Sequence, residues 1–368
     1  MSIGAVSRKS PWLVGSIAVV ILVVAVMLAS GGWISPFAKQ AVIRALKQRY
    51  QSDVEIQSLD VSLFPYPHGT GRGLVFRKSG NKDAPPLIKL DGFTAVAGWF
   101  GLLARPHRVK YVRLEGLEIQ VQFQGHKHEP GLRAKPPSGL LIEHMDADGT
   151  VLRVFPKTQG KQPLTFHIYK LSLHTVSGHA AMSYRAELHN AKPPGLIDAA
   201  GDFGPWDAED PAGTPVSGKY RFSNADLGVF KGISGELSSR GQFHGELGKI
   251  EVNGETDTPD FAVSIAGHPV DLKTTFNATV DGENGDTFLH PVKARFGQTT
   301  VVCQGAVAGE PDAKGKTVSL NSVVQNGELA DVLRLAVKSD LAPMTGRISF
   351  HSKSGFHPDT ARSRKGCT

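Results

Sequence analysis

Between Lys9 and Lys39 the chain has no charged side chain. That absence excludes an ordinary solvated N-terminus. Cysteine is almost missing too: Cys303 lies in the apolar run Thr300-Val301-Val302-Cys303 and Cys367 in the polar tail, which excludes a disulfide framework and cysteine-based zinc spacing. Aromatics are scarce, at 8%, and nowhere interleave with a basic patch, so nucleic acid is not an expected partner despite the net charge of +7. No glycine-rich phosphate loop, serine nucleophile elbow or Cys-His arrangement is present. His126 and His128 stand in a proline-rich loop, and His144 near Asp146 and Asp148 is the one His-carboxylate cluster. It lacks the further ligands that a metal site needs. The expectation is therefore no enzyme, no cofactor and no metal.

What fills the uncharged gap is apolar. Trp12, Leu13, Val14, Ile17, Val20, Ile21, Leu22, Val26 and Leu28 belong to a run interrupted only by Gly15 and Ser16. About 20 such residues cross the roughly 30 Å of hydrocarbon in a bilayer, and a helix is the form that satisfies its own backbone there. The run predicts a transmembrane helix over residues 11–31, behind a cytoplasmic tail of residues 1–10. A cleaved secretory signal is the competing reading, but its apolar region is shorter. Arg8 and Lys9 place the N-terminus inside and the long body outside, because long domains cross largely regardless of charge. Ser35-Pro36 then starts a basic amphipathic helix, residues 36–50. Its apolar face (Phe37, Ala41, Val42, Ala45, Leu46) suits either the bilayer surface or the end of a sheet.

From Val54 the hydrophobic period becomes two. Val54 and Ile56 alternate with polar residues, the phase slips at Ser58, and Leu59, Val61 and Leu63 resume it, which calls for a bulge. The cleanest alternation is Leu117, Ile119, Val121 and Phe123, read as a half-exposed antiparallel strand. These seven residues are the candidate lipid-facing groove. Weaker strands follow to residue 200, and the Gly-, Pro- and Asp-rich stretch Asp198 to Pro215, with Gly201 to Gly204 as a turn, marks a boundary. The expected domains are residues 51–200 and 216–350. Two helical openings interrupt the second, Asn224-Ala225-Asp226-Leu227 and one capped by Asn326. Each is followed by a glycine and a strand, which hints at a repeated unit. Residues 351–368 read as an atypical, truncated tail.

The chain resembles the AsmA family of Gram-negative bacteria. The resemblance rests on the N-terminal anchor, Val54-Glu55-Ile56, Ser58-Leu59 and Val61-Ser62-Leu63-Phe64-Pro65. It continues through Leu87 to Asp91, Gly101-Leu102-Leu103 and Val112 to Gly116. In the second half it is carried by Ala225-Asp226-Leu227, Phe230 to Ile233, Leu237-Ser238-Ser239, Gly241-Gln242-Phe243, Gly285-Asp286-Thr287 and Pro291-Val292. The resemblance implies an inner-membrane anchor and a periplasmic body of elongated, curved β-sheet, whose apolar groove handles phospholipid for outer-membrane biogenesis. Phospholipids are then the expected partners, with envelope proteins or self-association besides. A non-enzymatic scaffold that modulates outer-membrane protein assembly is the alternative.

Overall fold

The computed structural model describes residues 52–62, 64–78, 86–122, 140–155, 164–177, 180–191, 193–205, 211–230, 232–264, 268–309, 316–339 and 342–356. The predicted membrane helix at 11–31 and amphipathic helix at 36–50, with Leu63 and Phe123, lie outside these residues. Among the described residues no helix is long and apolar enough to cross a membrane. The protein is mainly β and divides into two compact units. The first contains residues 1–155, 167–185 and 202–214; the second contains 156–166, 186–201 and 215–368. Residues 186–201, grouped by sequence with the first half, therefore belong to the second unit.

In the first unit the strands are β1 (Ser52–Glu55), β2 (Ser58–Ser62), β3 (His68–Lys78), β4 (Ile88–Ala97), β5 (His107–Glu115), β6 (Glu118–Gln122) and β7 (Leu140–Phe155). β1 and β2 pair with successive stretches of β3, so they behave as one strand broken at Ile56-Gln57. The break absorbs the phase slip: Val54, Ile56 and Leu59 are all buried. A short helix, α1 (Trp99–Leu103), links β4 to β5. β5 and β6 likewise form one interrupted strand beside β4. The interruption is at Gly116, whose φ of 63° favours glycine and whose Cβ, if present, would collide with a carboxylate oxygen of Asp91.

One sequence expectation is corrected here. β7 runs parallel to both β5 and β6, so the pairing is mixed and not purely antiparallel. A parallel pair needs a return connection of about a dozen residues or more, and residues 123–139 supply it. The core of this unit is closed: Leu74, Leu90, Val109, Val112, Ile142 and Met145 are each at most 1% exposed.

β8 (Leu164–Val176), β9 (Met182–Ala191) and β10 (Pro194–Phe203) follow. β10 corrects a second expectation, since Gly201 to Phe203 are strand and not turn. The second unit then runs through β11 (Pro215–Asp226), the two-residue β12 (Ile233–Ser234), β13 (Glu236–Glu246), β14 (Lys249–Val263), β15 (Val270–Val280), β16 (Thr287–Phe296), β17 (Thr299–Gly309), β18 (Lys316–Glu328) and β19 (Arg347–Phe356). β11 and β13 to β19 pair antiparallel with their neighbours in that order. β19 extends to Phe356, so the strand pattern continues past residue 350 into the stretch read as tail.

The two helical interruptions share one backbone design. Asn224 and Asn326 each take a left-handed φ of 55°, where the pairing register of β11 and β18 shifts. Leu227 then opens a 3-10 turn (Leu227–Val229) and Leu329 opens α2 (Leu329–Ala336). The Leu227 N–H donates to the Gly235 carbonyl and the Leu329 N–H to the Gly346 carbonyl, and β13 and β19 begin immediately after these glycines. Asn326 is thus a bulge residue and not a helix cap; the cap position is Glu328, which makes no side-chain capping bond. Asparagine suits both bulges because it tolerates the left-handed region better than other residues with a Cβ.

Candidate functional site

The second unit carries an apolar face that is only partly covered. Across it Phe243 stands opposite Val252, Val252 opposite Ala278, Ala278 opposite Leu289, Leu289 opposite Gly305 and Gly305 opposite Leu320. These partners fall on one side of the sheet because side chains alternate with period two. The row crosses β13 to β18, roughly 24 Å at about 4.8 Å per strand. The other side is charged: Glu251, Glu255, Lys273, Lys293 and Arg295 are exposed. Of the row's apolar side chains only Ala278 is buried, at 5% exposure. Phe243, Val252, Leu289 and Leu320 remain half-buried, as do Leu272, Phe276 and Val301 nearby.

Two devices shape this face. Tyr220 of β11 lies across β13 and β14 where both carry glycine. A Cβ on Gly241 would meet the Tyr220 ring at 2.9 Å, and one on Gly254 would meet its hydroxyl oxygen at 2.7 Å. The Tyr220 hydroxyl has its partner within the sheet, the Ser239 hydroxyl 3.1 Å away, which in turn donates to the Glu255 carbonyl at 3.0 Å. Burial pushes the Tyr220 phenol upward against the lowering effect of Ser239, so the ring stays neutral and makes no demand on a ligand. At the other side α2 is fixed by Asp331, whose carboxylate accepts from the Gln298 N–H at 2.7 Å and the Thr299 hydroxyl at 2.9 Å. Thr299 is fully buried there.

The groove residues expected from the sequence sit elsewhere. Leu59 and Leu117 are 3% and 5% exposed and belong to the closed core of the first unit, against which Val61 and Ile119 also pack. Leu59 and Leu117 thus face the interior of the first unit, while Val61 and Ile119 are half-buried at its margin. Val121 pairs with Val154 along the parallel β6–β7 ladder. The partly covered apolar face was present in the sequence as the alternation of β13 to β18, but nothing in that pattern says which unit's apolar side is left partly uncovered.

The His144 region is a polar network on strands β5, β7 and β8. His144 Nε2 lies 3.1 Å from Asp146 Oδ1, and its Nδ1 lies 3.1 Å from His174 Nδ1. Ser172 and Tyr111 donate to Asp146 at 2.6 and 3.0 Å. Asp148 is turned to Arg113 at 2.8 Å, so the three residues picked out by sequence do not converge. Among the described residues no group of three or more ligating side chains could hold a metal ion. No family model, no curated protein and no solved structure matches this chain.

Proposed function

We propose that this protein is a membrane-anchored envelope protein that handles phospholipid, with the half-covered face of β13 to β18 as the surface that receives acyl chains. The observation that carries the reading is the row from Phe243 to Leu320: apolar, continuous across neighbouring strands, and left partly in contact with water. Each methylene moved from water onto such a face gains about 0.8 kcal/mol. The row is also longer than the ~15 Å that one leaflet's chains span, half of a ~30 Å hydrocarbon core. The resemblance of the sequence to AsmA proteins supports the same reading and adds its setting. The N-terminal helix is held in the inner membrane of a Gram-negative bacterium, with a periplasmic body curved into a groove that serves outer-membrane biogenesis.

The test is native mass spectrometry with lipid extraction on the full chain purified in mild detergent. Phospholipid in fixed stoichiometry is the expected result, with its loss in Val252→Asp while the fold persists by circular dichroism. A folded chain that never carries lipid would sink the proposal and leave the scaffold reading, in which the same face binds an envelope protein.

A further inference from the structure

We infer that one end of the first unit's sheet is a docking surface for the interface of an anionic phospholipid bilayer. Two connections meet there. The β2–β3 turn presents Phe64 and Tyr66, and the segment between β4 and β5 presents Trp99 and Phe100; their exposures are 85%, 51%, 47% and 90%. His68 pairs with Val96 and the Ala97 N–H donates to the Pro67 carbonyl at 2.9 Å, so the two connections lie side by side. Each is held in shape by its own polar groups. The Ser62 hydroxyl donates to the Phe64 carbonyl at 3.1 Å, a ring nitrogen of His68 lies 3.0 Å from the Tyr66 carbonyl, and the Ala104 N–H donates to the Phe100 carbonyl at 3.0 Å. Four backbone carbonyls of the two connections, those of Phe64, Tyr66, Pro67 and Phe100, are thus engaged, and the aromatic side chains face outward.

Four large aromatic side chains in water on two adjoining connections are unusual for a chain with only 8% aromatic residues. Charge identifies the occupant. Residues 63–68 and 98–110 contain no Asp or Glu, whereas Arg105 and Arg108 stand exposed in the same segment as Trp99 and Phe100. Trp and Tyr rings settle at the headgroup level of a bilayer, an apolar body inward and a polar tip outward. Each arginine near an anionic leaflet adds roughly 1 kcal/mol of attraction. Aromatic anchors flanked by cations with no anion among them fit a negatively charged lipid surface. This contact is separate from acyl-chain carriage by the second unit and does not rest on it.

Trp99 is the probe. The chain has four tryptophans, and Trp12→Phe, Trp33→Phe and Trp206→Phe together leave Trp99 alone. The full chain carrying these changes is reconstituted into an excess of phosphatidylcholine vesicles containing phosphatidylglycerol, with and without brominated acyl chains. The expected result is Trp99 emission about twofold weaker over brominated lipid. That quenching should be lost in Phe64→Ser/Phe100→Ser and reduced in Arg105→Gln/Arg108→Gln or when phosphatidylglycerol is omitted. All four residues are exposed, so these variants keep the fold. Equal emission over both lipids, or quenching that survives Phe64→Ser/Phe100→Ser, overturns the proposal. Quenching indifferent to the arginines and to lipid charge overturns its anionic part, and burial of Trp99 by an envelope protein with no lipid quenching assigns the surface to a protein instead.

Discussion

Leu74 of β3 and Leu289 of β16 are each a leucine on the apolar side of a paired strand. Leu74 is 1% exposed; Leu289 is half-buried. The first unit gathers nineteen buried side chains into one cluster, while across β13 to β18 Phe243, Val252, Leu272, Phe276, Leu289, Val301 and Leu320 stay half-buried. Amphipathic strands thus build two products. Where apolar layers meet, they make a dry core whose value is stability. Where little lies over them, they make a surface whose value depends on what arrives to cover it. The difference lies in packing against other elements and not in the strands themselves.

The largest expected effect sets this contrast at its sharpest. Leu74→Ala and Leu289→Ala delete the same atoms from the two units. In the closed core the loss should reach about 2–5 kcal/mol, a transfer term plus a cavity term. On the partly covered face it should be about 1 kcal/mol or less, since much of the leucine is already hydrated and no cavity forms. Urea unfolding, read unit by unit with hydrogen exchange and with lipid removed, measures both. Equal losses would mean that the second face is closed in solution, and the comparison would fail.

A smaller effect distinguishes the two bulge-and-helix units of the second half. Asp331→Ala removes the acceptor for the Gln298 N–H and for the fully buried Thr299 hydroxyl. The buried Thr299 hydroxyl would keep only its longer bond to the Glu328 carbonyl, 3.4 Å away, and a buried donor so weakened costs about 1–2 kcal/mol. Asp226, the residue that precedes the other helical turn, accepts from the exposed Gly228 N–H at 2.7 Å, and Asp226→Ala should cost about 0.5–1 kcal/mol. Thermal unfolding of the two variants tests the order; a reversed order would show that α2 is not anchored through Asp331.

Much of this architecture was legible in the sequence, for a definite physical reason. Alternation at Val54, Ile56 and Leu59 encodes which way side chains point, and even the bulge at Ile56-Gln57 announces itself as a slip of phase. Strand direction is not encoded that way: Leu117 and Ile119 alternate equally well beside a parallel neighbour, and the parallel β7 became visible only in three dimensions. Coverage is not encoded either, so Leu59 and Leu117 read as groove residues although they are sealed in a core. Asn326 was legible as a special position but not as the right one. An asparagine ahead of a helix resembles a cap, and only its repetition in Asn224-Ala225-Asp226-Leu227 and Asn326-Gly327-Glu328-Leu329 marks a shared left-handed bulge.

The smallest expected effect appears only with pH, and it belongs to the closed unit. Burial by itself would push the Asp146 carboxyl upward, but the hydroxyls of Ser172 and Tyr111 and the neighbouring His144 outweigh it and hold the carboxyl below its ordinary value. A carboxylate held low in the folded chain adds stability above its unfolded pKa, near 4, and that stability drains as the pH falls through the folded value. Ser172→Ala removes one of the donors that hold it there. The difference in urea midpoint between wild type and Ser172→Ala should therefore be widest near neutral pH and close below about pH 4. Hydrogen exchange in peptides from β5, β7 and β8 should carry the change, with the row from Phe243 to Leu320 unaffected. A difference that stays constant from neutral to acid pH would mean that Ser172 acts through packing alone, and the polar network of the first unit would then be as indifferent to charge as the apolar face of the second.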